Sequence, residues 1–189
     1  MQIRTTYFKK ASREHTDSVK ELLLDFLKEN SQVTKIVVAT TTGRTGTIFS
    51  EAFPDHEVIV VTHQQGFAKP NENELQKECK QIILENGARI LTTTHALAGV
   101  PRGIRKELGT WDTTEILAVL LRTFGQGTKV CMEIAMMSAD AGLVNIDEDV
   151  ICVGGTGRGA DTAWIIQPAY TSSWPKLRMK ACICKPLQF

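Results

Sequence analysis

Three short apolar runs, "KIVVA" (35–39), "EVIVVTH" (57–63) and "ARILTTTH" (88–95), recur with helix-forming stretches between them. Runs of this kind lack the polar alternation of a half-exposed strand, so each reads as a strand covered on both faces. Strands alternating with helices imply crossover connections and a parallel sheet. That one pattern excludes all-α and all-β folds.

The remaining segments extend the pattern. Residues 16–30 predict a helix, with Val19, Leu22, Leu23, Phe26 and Leu27 on one stripe and Asn30-Ser31 as the stop. "TGTIFSEAF" predicts a short helix ended by Pro54, and residues 72–86 predict an amphipathic helix ending at Asn86-Gly87. Two more helices are expected near 113–124 and 128–139. "DVICVGG" (149–155), "DTAWIIQP" (161–168) and "KACICKP" (180–186) predict three further strands. The first two are separated too closely for a crossover and are expected to pair antiparallel. The passage 96–112 takes no assignment. The expected fold is an α/β three-layer sandwich with a mostly parallel sheet, in one domain over 1–189.

Composition narrows the function classes. The 189 residues are 42% hydrophobic and 23% charged, with 22 basic against 21 acidic side chains and a formal charge of +1. No basic tract marks a nucleic-acid binder, and no apolar stretch is long enough for a membrane span. A cytoplasmic protein without a nucleic-acid or membrane partner is expected, and a homo-oligomer remains open. Cys79, Cys131, Cys152, Cys182 and Cys184 form no CxxC pair and read as reduced thiols. No metal-ligand spacing appears, so no metal is expected. His15 and His56 read as surface residues, and Trp111, Trp164 and Trp174 as packing aromatics.

Ligands of open parallel sheets bind beyond the carboxyl ends of the strands. Those ends here are Thr40 to Gly46, Thr62-His63, Thr92 to His95 and Gly154 to Gly159. All four run into hydroxyl, imidazole or glycine. In "TTTGRTG", threonine hydroxyls and N–H groups at a helix start suit an anion, two glycines permit close backbone approach, and Arg44 can add a bidentate contact. A phosphate monoester matches that set. The Gly-Lys-Ser/Thr ending of a nucleotide P-loop is absent. "GGTGRGADTA" (154–163) resembles a dinucleotide fingerprint but leads into a β-branched run, not a helix. It reads as a glycine hairpin leaving room for a flat ligand, with Arg158 or Asp161 touching it. His63 and His95 are the candidate acid–base residues.

These stretches resemble the C-terminal α/β domain of pyruvate kinase, through "KIVVATTTGRTGTIFSEAFPDHEVIVVT" and "DVICVGGTGRGADTAWII". "TTYFKK", "VTHQQGF", "KVCMEIAMMSADAGL" and "GRGADTAWIIQPA" bring it nearer to free-standing archaeal and bacterial relatives of that domain. In pyruvate kinase a threonine/serine-rich loop grips the phosphate of a sugar bisphosphate effector. The free-standing family implies FMN as ligand, with no established reaction. By position, Thr41, Thr42, Gly43, Arg44, Thr45 and Gly46 hold its phosphate. Thr62, His63 and Thr94 face the ribityl chain, and Gly155, Thr156, Gly157 and Arg158 face the ring. His15 stands where the family pattern has asparagine. Open alternatives are a flavin-dependent oxidoreductase or carrier, a non-catalytic sensor of a sugar phosphate, and a phosphate-ester enzyme using His63 or His95.

Overall fold

A computed structural model describes residues 4–189. Seven strands form one sheet in the order β1-β7-β6-β5-β2-β3-β4. They are β1 (Thr6–Lys10), β2 (Lys35–Ala39), β3 (Glu57–Thr62), β4 (Arg89–Thr92), β5 (Val150–Gly154), β6 (Thr162–Gln167) and β7 (Arg178–Gln188). The helices are α1 (Thr16–Glu29), α2 (Arg44–Ala52), α3 (Lys77–Glu85), α4 (Val100–Leu108), α5 (Thr113–Arg122) and α6 (Gln126–Asp140). β2, β3, β4 and β5 are mutually parallel, with Val37 beside Ile59 and beside Cys152. β6 runs antiparallel to β5 and β7, and β1 closes the edge parallel to β7. The fold is therefore an α/β sandwich of three layers around a mostly parallel sheet.

The apolar runs divide by residue parity. Ile36, Val38, Val58 and Val60 face one side, packed against Val19, Leu23, Phe49 and Ile83 of α1, α2 and α3. Val37, Ile59, Val61 and Cys152 face the other, against Cys131, Ile134, Ala135 and Ala118 of α6 and α5. Both faces are covered, which is why no polar alternation appears in β2 and β3. α6 is buried from Gly127 to Ala139 except for the half-exposed Val130. No helix among the described residues is long and apolar enough to cross a membrane.

The structure differs from expectation in several places. The helix expected at 72–86 begins only at Lys77. Asn73 holds the preceding turn open: its Oδ1 accepts the Leu75 N–H at 2.9 Å and its Nδ2 donates to the His63 carbonyl at 2.8 Å. α4 fills the unassigned passage, and β1 adds an unforeseen edge strand. His15 and His56 are not free surface groups: His15 stacks on Phe8 at 4.1 Å, and His56 lies edge-on to Phe53. Trp111 and Trp174, expected to pack, are 54% and 41% exposed, while Trp164 donates to Thr128 Oγ1.

Candidate functional site

A cavity of about 440 Å³ lies beyond the carboxyl ends of β2, β3 and β5. It is within the range of small-molecule and cofactor sites. Of the residues singled out from sequence, Thr41, Thr45, Thr62, His63, His95, Gly155, Gly157 and Arg158 line it, as does Thr40. The strand ends do converge on one space.

One wall of the cavity is built by the β2–α2 turn. Thr40 Oγ1 accepts the Gly43 N–H at 3.1 Å and the Gly46 N–H at 3.5 Å, which folds the loop around that hydroxyl. The N-cap residue of α2, Gly43, has no side chain to cap it. Among the described residues, the N–H groups of Thr41, Thr42, Arg44 and Thr45 meet no protein acceptor. Unpaired N–H groups at a helix start favour an anion.

Thr42, Gly43, Arg44, Gly46, Thr94 and Thr156 do not line the cavity. Consecutive helical residues point about 100° apart. Thr45 therefore turns inward while Arg44, the first residue of α2, is exposed. The glycines answer to the protein instead of a ligand. A Cβ on Gly43 would lie 2.3 Å from Cys79 Cβ, and one on Gly46 would lie 2.6 Å from Val60 Cγ1. Thr42 fixes the start of α3, its carbonyl accepting the Gln76 N–H at 3.0 Å. Thr94 is exposed beside Gly99. The Thr156 N–H donates to Asp161 Oδ2 at 3.1 Å. Asp161 is buried, also accepts the Thr162 hydroxyl at 2.7 Å, and braces the glycine hairpin without lining the cavity.

Several lining groups escaped the sequence reading: Phe67, Glu74, Arg122, Lys129 and Glu133; Arg102, from the 96–112 passage that sequence left open between a lid and plain surface, lines the cavity as well. His63 Nδ1 donates to Glu74 Oε2 at 2.6 Å, which fixes the ring and leaves Nε2 as its remaining polar atom. The His63 and His95 rings are 5.3 Å apart, and Phe67 packs on both. Lys129 and Glu133 form a buried ion pair one turn apart on α6, and Glu133 Oε1 also accepts the Leu97 N–H at 3.2 Å. An i, i+4 charge pair inside an otherwise apolar helix was the available clue.

Both lining carboxylates are thus engaged, whereas Arg102, Arg122 and Arg158 have no carboxylate partner among the described residues. The unbalanced charge is positive. No thiol lines the cavity, and burial pushes Cys182 up to about 11 and Cys184 up to about 12.

His95 is the most perturbed imidazole. Burial lowers its pKa from 6.5 to about 4; His63, Lys129 and Arg102 push the same way and Glu133 opposes them. It is therefore neutral at pH 7. Unfolded chains take up this proton below 6.5, whereas the native state resists until about 4. Stability must fall with pH across that window, by at most about 3 kcal/mol. Urea midpoints at pH 7, 5.5 and 4.5 should show the decline, and His95→Gln should flatten it. An unchanged slope in that variant would refute the assignment.

Fold and cavity together define an α/β protein with a small-molecule-sized cavity at its strand ends. The chain belongs to the pyruvate kinase, alpha/beta domain family, whose sequence model matches residues 23–166. It is also similar in part to solved structures. With O-ureido-L-serine synthase the identity is 12%, over 67% of this chain and 48% of that one, at a TM-score of 0.32. With a hydrogen sulfide-producing enzyme from Fusobacterium nucleatum it is 17%, over 69% and 48%, again at 0.32. The chain spans about half the length of those enzymes, and the likeness carries nothing about chemistry.

Proposed function

We propose that the cavity binds a phosphate-bearing ligand with a flat ring, FMN being the one that suits it best, and that the protein is a flavin-dependent oxidoreductase or flavin carrier. The supporting observation is the juxtaposition, on one cavity, of the start of α2, with Thr41 and Thr45, and an apolar lining. Ala39, Val61, Val130, Ile134 and Met137 supply that lining. An anion end and an apolar slot together favour a phosphorylated aromatic over a sugar phosphate, which has no use for the slot. When bound, the flavin would supply the redox chemistry. The chain's own residues would bind and orient it: Thr41 and Thr45 at the phosphate, the glycine hairpin and Arg158 beside the ring.

Purified protein incubated with FMN and desalted should show the oxidised-flavin bands near roughly 370 and 450 nm. Thr45→Val removes one hydroxyl at nearly constant volume and should weaken FMN about tenfold, the scale of one hydrogen bond to a charged group. A colourless protein stabilised against heat by sugar phosphates and not by FMN would instead establish the sensor reading.

A further inference from the structure

We propose that Arg102 anchors a second, separate anion site, which seats the carboxylate or phosphate of a small acidic co-ligand in a cavity it shares with Phe67 and Lys106. The placement rests on the reading above that the α2 end takes the phosphate of the first ligand.

The observations centre on α4 and its contact with Phe67. Arg102 projects from α4, and its guanidinium carbon sits 4.8 Å over the Phe67 ring. Its Nε is buried without a hydrogen-bond partner, and no carboxylate pairs with it among the described residues. A buried donor left unpaired costs about 1–3 kcal/mol, which a ligand oxygen would recover. Arg102 and Phe67 also form the wall of an adjoining cavity of about 190 Å³, lined further by Gln64, Gly66, Gly99, Gly103 and Lys106. Lys106, one turn along α4, has no ion-pair partner among the described residues. Two uncompensated cations thus face a space too small for a flavin but ample for a compact acid. FMN brings only one acidic group, and the α2 start already suits it.

Oxalate and inorganic phosphate, titrated calorimetrically at constant ionic strength with and without FMN, test the proposal. Oxalate or phosphate should bind in both conditions. Arg102→Ala should weaken that binding at least tenfold; Lys106→Ala, at a residue that lines the smaller cavity and not the larger, should weaken it too while leaving FMN affinity within twofold, and Thr45→Val should do the reverse. Arg44→Ala, which removes an exposed cation elsewhere, should change neither. Failure of both anions to bind, displacement of FMN by them, or equal losses in the Arg44 and Arg102 variants would overturn the second site. Anion binding that depends on Arg102 in a protein that takes up no FMN would uphold it and reject the flavin reading alone.

Discussion

Lys129→Met is expected to destabilise the protein by about 3–5 kcal/mol, the cost of leaving a buried charge without its partner. Lys129 and Glu133 are only 7% and 5% exposed. The carboxylate is tied to the Leu97 N–H, so it cannot swing out to water without breaking the β4–α4 turn. Burial also lowers the Lys129 pKa against the pull of Glu133. Each charge is therefore held by the other. In a chain of this size a loss of that order lowers Tm by roughly 10 °C. The double variant Lys129→Met with Glu133→Leu should recover most of the stability, since two apolar groups of similar volume replace the pair. Thermal and urea unfolding of the three proteins decide it: a double variant no more stable than Lys129→Met would mean that the pair is not what holds this part of α6. FMN uptake by the double variant then separates structure from function. Retained stability with lost uptake would show that the pair serves the cavity.

The same pair marks where sequence reasoning stopped. β2, β3 and β5 were legible because burial on both faces leaves an unbroken apolar run, and their polar endings therefore stood out. The antiparallel turn between β5 and β6 was legible from its length alone. α4 was not, because it buries no residue and contains Gly103. It is held by side-chain contacts that no periodicity announces, Arg102 over Phe67 and Arg105 donating to Glu115 at 2.7 Å. Glu74 was hidden for a related reason. It was assigned to a helix, whereas the Asn73 turn keeps it extended and sets it against His63. Arg44 shows the opposite error: its neighbours in sequence suited an anion, but the rotation of α2 directs it outward. The elements were written in local pattern, whereas the charged half of the site depends on which faces meet across the fold.

Gly43→Ala is expected to cost roughly 2–5 kcal/mol, combining backbone strain with overpacking. Gly43 has φ +103°, which side-chain-bearing residues rarely adopt, and its missing Cβ is the space occupied by Cys79 Cβ and Leu75 Cδ1. Neither neighbour yields cheaply, since Cys79 belongs to the first turns of α3 and that helix start is tied to the Thr42 carbonyl. The two contributions can be separated within the same chain. Gly87 has φ +77° with nothing near its Cβ position, so Gly87→Ala carries strain alone and should cost about 1 kcal/mol. Gly43 also stands at the head of α2, where its N–H is held by Thr40 Oγ1 and its carbonyl accepts the Thr47 N–H at 2.9 Å. Any shift that relieves the contact with α3 must move the start of α2 and the Thr41 and Thr45 groups beside it. Gly43→Ala should therefore lose ligand affinity at temperatures where it remains folded, while Gly87→Ala should keep it. Equal unfolding midpoints for the two variants would show that α3 gives way without resistance, and the cradle would then owe its shape to something other than this close approach.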